Sequence, residues 1–219
     1  MTAAFPDSPA EELLRFATAH RKKGAGAGIE AYHAYKAWRA TFPYFVHDPE
    51  VFYPLEPANF PRDWLSFGGL AKDGSSVVVC AGGMYDASTG GIQTYVDRCC
   101  HAIDHLCPPG TNGQISLFVD CRAQPGMLNP PASQLVSFFR DVANTCAANY
   151  PGRLSKIILY TVPWFVAGLI NLIMKMLPKD MVEKITIIGG GKEVPKKLWD
   201  HIDFDQLPEF NKKYHKSKK

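Results

Sequence analysis

Residues 155–185 read SKIILYTVPWFVAGLINLIMKMLPKDMVEKI, and eighteen consecutive positions in this stretch, 157–174, carry no charge. One helix over 157–177 would be about 31 Å long, enough to cross the hydrocarbon of a bilayer. Pro163 breaks that reading, because its ring disfavours helical backbone at Val162 and removes a donor from any helix interior. The composition also changes there. KIILYTV is short and β-branched, whereas WFVAGLINLIMKML is rich in Leu and Met and follows a proline suited to a first helical turn. A helix over 164–176 is only about 20 Å long, too short to span. The spacing predicts a strand, a proline and an apolar helix, not a transmembrane segment.

That helix is apolar nearly all round, with Asn171 and Lys175 as its main polar positions. Two accounts fit: a helix buried on every side, or a lid whose inner face covers an apolar ligand and whose outer face can touch a membrane.

Working outward, further β-branched runs at 76–80 (SVVVC), 115–120 (ISLFVD), 156–161 (KIILYT) and 184–189 (KITIIG) predict four strands. Helical patterns at 92–107, 131–149, 164–176 and 194–201 separate them. Strands apolar on both faces and alternating with helices predict an α/β layer with a mostly parallel sheet. Ahead of it, SPAE at 8–11 has the pattern of a capping box, with Ser8 as cap. GAGAG at 24–28 breaks the first helix from a second that carries Ile29, Tyr32, Tyr35 and Trp38 on one face. Residues 43–74 read as a proline- and aromatic-rich connection. The expected division is a helical element over 1–45, an α/β domain over 46–210 and a basic tail over 211–219.

The chain has 219 residues, 46% hydrophobic and 21% charged, which are ordinary globular values. From residue 151 onward 13 Lys and Arg stand against 7 Asp and Glu, whereas the first 150 residues hold 11 against 14. The basic end therefore coincides with the apolar run, a combination suited to an anionic membrane leaflet. Aromatic residues are not interleaved with the basic ones, so nucleic acid is not expected as a partner. The start, MTAAFPDSPAEELLRF, has no basic stretch followed by an apolar one, and a cytoplasmic protein with reduced thiols is expected. CCHAIDHLC at 99–107 lacks a second ligand pair of zinc-site type and reads as a buried helix, so no metal is expected. IIGGGKEV at 187–194 has Glu193 where a phosphate loop needs Ser or Thr, and Val194 where a dinucleotide loop needs glycine. With no nucleophile–base set either, neither a cofactor nor an enzyme is expected.

The order of these features resembles the CRAL-TRIO lipid-binding domain, the fold of phosphatidylinositol/phosphatidylcholine transfer proteins and of tocopherol and retinaldehyde carriers. The residues that carry the resemblance are LLRF…HRK…W in the first helices, NYPGRLSKIILYTVPWFV, LPKDMVEKITIIG and IDFDQLPEF. The resemblance implies a sheet floor with flanking helices enclosing an apolar pocket for one lipid. Its gate would be the helix after Pro163, bending at Gly168 and Pro178. Trp164, Phe165, Leu169, Ile170, Ile173 and Met176 are then gate residues, with Phe118 and Tyr160 in the pocket. By the same resemblance, Arg153 and Lys184 take the headgroup phosphate, with His20 and Arg21 at the amino-terminal basic position. Gly152 stands where the family has an acid and Met181 where it has a threonine; LPEFNKK lacks the family's paired glycines. The structural alternative is that Arg153 forms a pair at a strand entrance and that Lys184 is a surface side chain lying along apolar surface. The implied function is binding of a phospholipid of phosphatidylinositol or phosphatidylcholine type and its transfer at membranes by transient contact. The alternative is a lipid-sensing or tethering module that does not transfer.

Overall fold

Strands that pair in parallel must be covered on both faces, and the described structure meets this demand with helices on one side and the carboxyl-terminal segment on the other. The computed structural model describes residues 1–42, 59–108, 110–164, 167–177, 179–190, 194–209 and 211–212, without the side chains at 62, 132, 167, 169 and 176. Its strands are β1 Leu65–Leu70, β2 Ser76–Ala81, β3 Ile115–Asp120, β4 Leu154–Val162 and β5 Ile185–Gly189. They lie side by side in chain order, β1 antiparallel to β2 and the other neighbours parallel.

Right-handed crossovers that step always in the same direction put every connecting helix on one face. Those helices are α3 Gly91–Leu106, α4 Leu135–Asn149, α5 Ala167–Met176 and the short α6 Lys179–Val182; α1 Ala10–His20 and α2 Ala25–Thr41 precede the sheet. The two-residue period of the strands then divides the core. On the helix side, Val78, Cys80, Ile115 and Val119 pack with Tyr95, Ile103 and Phe138. On the other side, Val77, Val79, Phe118, Ile158 and Tyr160 pack with Leu198, Ile202 and Leu207.

Several expectations change. β1 lies inside the supposed connection; SFGGL gives no strand signal because its glycines are there for close approach. The backbone carbonyl of Gln206 stands where a side chain at Gly68 would be, and its Oε1 accepts from Leu70 N at 3.0 Å. Ser8 is not a cap: α1 starts at Ala10 after Pro9 with no side-chain capping bond. GAGAG breaks the chain only at Gly24, whose φ is +91°, and the rest enters α2. Gly28 lies where α2 passes α1: a Cβ there would stand in ordinary contact with Phe16 O and Ala17 Cα, at 3.6 and 3.7 Å. The pattern at 194–201 forms a 3-10 turn, Lys196–Asp200. CCHAIDHLC lies in and just after α3, and among the described residues no cluster of His, Cys, Asp and Glu is placed to hold a metal. No described helix is long and apolar enough to cross a membrane. Residues 191–193 and 213–219, from the glycine loop and the basic tail, lie outside the described residues.

The α1–α2 hairpin has its own core of Leu13, Phe16, Tyr32 and Tyr35. The Glu12 carboxylate is buried there and accepts from the Tyr32 and Tyr35 hydroxyls at 2.7 and 2.8 Å. Arg39 clasps the hairpin to α3, donating to both oxygens of Asp104 at 2.6 and 2.7 Å, and the Tyr150 hydroxyl donates to the same carboxylate at 3.1 Å. Burial pushes the Tyr150 hydroxyl far above its ordinary pKa, so it stays a donor. Removing one partner of such a pair leaves the other charge buried. Asp104→Ala should therefore lower the unfolding free energy by about 3 kcal/mol in urea titration; a loss below about 1 kcal/mol would deny the clasp this role.

A second polar anchor ties the β1–β2 turn to β4. Asp73 accepts from Ser75 Oγ at 2.6 Å, Ser155 Oγ at 2.8 Å and Lys156 Nζ at 2.8 Å. Partial burial acts the other way, but the bonds from Lys156, Ser75 and Ser155 hold the carboxyl well below the ordinary carboxylate range. A depressed folded pKa gives stability that is present above the unfolded value, about 3.9, and is lost as pH falls through the folded one. Asp73→Asn should cost about 1 kcal/mol at pH 7, and the gap from the parent should close only as pH drops below about 4.

Candidate functional site: an apolar cavity under helix α5

The helices do not close fully over the sheet. Between them and β2–β5 lies a cavity of about 440 Å³. Leu117, Val119, Ile157 and Leu159 form its floor; Cys99, Ala102 and Ile103 of α3 with Phe139, Val142 and Cys146 of α4 form its walls. Ile170, Ile173 and Met174 of α5 and Leu177 just beyond it form the roof. These four roof residues are spaced i, i+3, i+4, i+7, which is one face of a helix. Asn171, Leu172 and Lys175 are on the exposed side. Helix α5 is therefore two-faced, neither wholly buried nor uniformly exposed.

Four lining side chains carry nitrogen or oxygen: Arg122, Asn129, Tyr150 and Arg153. Each already bonds to protein. Arg122 pairs with Asp120 at 2.6 Å, and Asn129 Nδ2 donates to the carbonyls of Gln124 and Met127 at 2.9 Å. Arg153 donates to the carbonyls of Thr111 (2.8 Å), Gly113 (2.9 Å) and Pro108 (2.9 Å). The thiols add no charge: burial pushes Cys146 and Cys121 up to about 12, so both are protonated at neutral pH. Such a chamber can hold a molecule whose bulk is hydrocarbon, because every apolar surface it covers leaves water at about 25 cal/mol per Å².

Arg153 is almost fully buried, yet among the described residues no carboxylate lies within ion-pair distance of it. Neutral carbonyls orient the guanidinium without cancelling its charge. Burial, and next the charge of Arg15, lower its pKa from the usual arginine value. Lys184 stands at the same end of the strands, its Nζ donating to the Leu154 carbonyl at 2.6 Å. Arg153 and Lys184 thus serve two ends of one short stretch at the β4 entrance.

His20 and Arg21, expected beside Arg153, are placed elsewhere. His20 ends α1, and Arg21 is exposed and lines a separate groove between α1 and α2. Arg15, not considered from the sequence, is the residue that meets Arg153. It donates to the Thr111 carbonyl at 3.1 Å, and its Cδ lies 3.4 Å from where a Cβ of Gly152 would be. Gly152 has φ +76°, so glycine suits both the turn and the passing arginine stem.

Phe118 and Tyr160 are corrected by the strand period. Both point to the opposite side of the sheet, where they are fully buried among Ile158, Leu198 and Ile202. Their neighbours Leu117, Val119 and Leu159 face the cavity instead. Trp164 is 88% exposed and is not part of the lining. Met181 is buried and lines the cavity. Phe165, Pro178 and the side chains of Leu169 and Met176 lie outside the described residues.

The chain enters the roof through a distorted strand end. Thr161 has φ +56°, is 1% exposed, and among the described residues its Oγ1 has no hydrogen-bond partner. The β4–β5 register slips at this point, between Tyr160 and Val162. A β-branched residue at positive φ costs about 1–3 kcal/mol and persists only where neighbours enforce it.

No curated protein matches the sequence. Among solved structures, the crystal structure of Sfh5 is similar with a TM-score of 0.60 at 14% identity; the likeness covers 80% of this chain and 62% of Sfh5. At that identity the likeness shows a shared fold. The sequence pattern of the CRAL/TRIO domain matches residues 66–211, from the second residue of β1 to the residues that follow the last 3-10 turn. With two thirds of its length matched and the strand order, roof helix and apolar chamber in place, the chain belongs to the CRAL/TRIO domain family, a fold that binds lipids or other small hydrophobic ligands.

Proposed function

We propose that this protein takes one lipid of phospholipid type into the cavity and exchanges it at a membrane by displacement of α5. The observation that carries the reading is an apolar chamber closed by a helix whose inner stripe is Ile170, Ile173 and Met174. At the strand entrance, Arg153 supplies a buried positive charge with no carboxylate in ion-pair distance among the described residues, and Lys184 supplies a second cation. Together these support a phosphodiester held by charge-assisted bonds. A cavity of about 440 Å³ lies in the range of about 300–1,000 Å³ that takes drug-sized ligands, so a two-chain lipid enters only as α5 moves outward.

One observation favours a second reading. All four polar lining side chains bond to protein, which suits a neutral lipophile with little need for polar recognition. Mass spectrometry of organic extracts of the purified protein separates the two, since a bound ligand should co-purify. Lys184→Gln separates them again: phospholipid loading should fall about tenfold if the ammonium holds a phosphate, while loading of a neutral isoprenoid should not change.

For the roof, Ile173→Asp sets a carboxylate into the chamber, and burial of an unpaired charge costs several kcal/mol. Transfer of labelled phospholipid between vesicles should drop at least about tenfold in the folded variant, whose unfolding midpoint should also fall below that of the parent. Unchanged transfer would make α5 ordinary scaffold. Normal loading without any exchange between vesicles would point to a lipid-sensing or tethering module.

A further inference from the structure

Eight large apolar side chains are exposed among the described residues, and four of them, Met127, Leu128, Trp164 and Leu172, belong to two segments that frame the cavity. The first segment follows β3 and lines the chamber with Ala123, Asn129 and Pro130; the second follows β4 and lines it with Pro163 and Ile170. Strands β3 and β4 are parallel, with Asp120 opposite Tyr160, so both segments leave the sheet at the same end of the strands.

The first segment is built, not slack. Asn129 Oδ1 accepts from Gln124 N at 2.6 Å, and its Nδ2 donates to the carbonyls of Gln124 and Met127, each at 2.9 Å. Its own N–H donates to the Gly83 carbonyl at 2.9 Å, fixing the turn to the 3-10 turn after β2. Gly126 and Asn129 adopt positive φ, +75° and +51°. The result of this bonding is a rigid turn whose tip presents Met127 at 39% and Leu128 at 60% exposure. A turn designed only to connect β3 to α4 would place polar residues at its tip.

We propose that the Met127–Leu128 tip is a membrane anchor which, with Trp164 and Leu172, seats the cavity mouth on an anionic bilayer. This rests on the reading that the cavity carries a lipid. Two observations select a bilayer as the partner. A hydrocarbon ligand leaving between these segments needs an apolar phase against the mouth, and an exposed tryptophan and exposed aliphatic side chains on two segments that leave the sheet at the same end suit the headgroup level. The charge selects the surface: Lys175 and Lys179 are exposed on the roof segment, and the chain from residue 151 onward holds 13 basic against 7 acidic residues.

The test is co-sedimentation with phosphatidylcholine vesicles containing about one quarter phosphatidylserine. The full chain carries Met127→Ser with Leu128→Asp, or Leu128→Ser alone should the double variant fail to fold. Neither residue lines the cavity, so the lipid content of the purified protein and its unfolding midpoint should match the parent. Vesicle partition should fall about tenfold for the double variant and about threefold for the single one. Partition equal to the parent in a folded, lipid-loaded variant would overturn the anchor. If the parent holds no lipid and the variant still loses vesicle binding, the anchor stands and lipid carriage fails.

Discussion

A parallel strand has no face it can leave to water, and the rest of this structure follows from how β3, β4 and β5 meet that demand. One face is sealed by Leu198, Ile202 and Leu207 from the carboxyl-terminal segment, which packs directly on Phe118, Ile158 and Tyr160. On the other face α3 and α4 pack against the strands, and over β4 and β5 the ten-residue α5, with Met181 of α6, roofs the remaining gap. The sheet is covered there at a distance. The gap between strand and helix is the cavity, so the site is a consequence of incomplete helix coverage, not a separate insertion.

The polar groups around that gap are arranged to support structure first. Arg153 organises the 108–113 connection through its carbonyls, Arg122 is paired with Asp120, and Tyr150 belongs to the clasp that joins the hairpin to the body. A chamber whose polar atoms already have partners does not force its contents to supply hydrogen bonds. What distinguishes Arg153 is charge: three neutral acceptors leave a full positive charge at the inner wall, with Arg15 beside it. The same end of the chamber therefore combines low polarity with a positive potential.

Much of the fold was legible because β-branched runs and a proline are strong signals. Pro163 divided strand from helix correctly, and four of the five strands were recognised. β1 was not, because Gly68 and Gly69 answer to the close passage of Gln206, a contact 137 residues away that no local pattern encodes. The cavity was legible as a class of site, but its lining was not. Strands buried on both faces show no alternation, so nothing in ISLFVD tells Leu117 from Phe118. Arg15 escaped notice for a related reason: its role depends on where α1 docks, and docking is set by the Arg39–Asp104 clasp.

The kink at Thr161 has a consequence for the neighbouring strand. A Cβ at Gly190 would sit 3.2 Å from Thr161 Cα and 3.4 Å from its Cγ2, and Gly190 N donates to the Val162 carbonyl. A side chain at position 190 would press on Thr161 and on Pro195, whose Cγ would lie 3.1 Å from the new Cβ, so the strand end and the segment after β5 are closely packed on each other. In the exchange proposed above, α5 would swing from this tightly packed mount, with the bend placed in the segment beyond the proline and the strands of the floor left where they are.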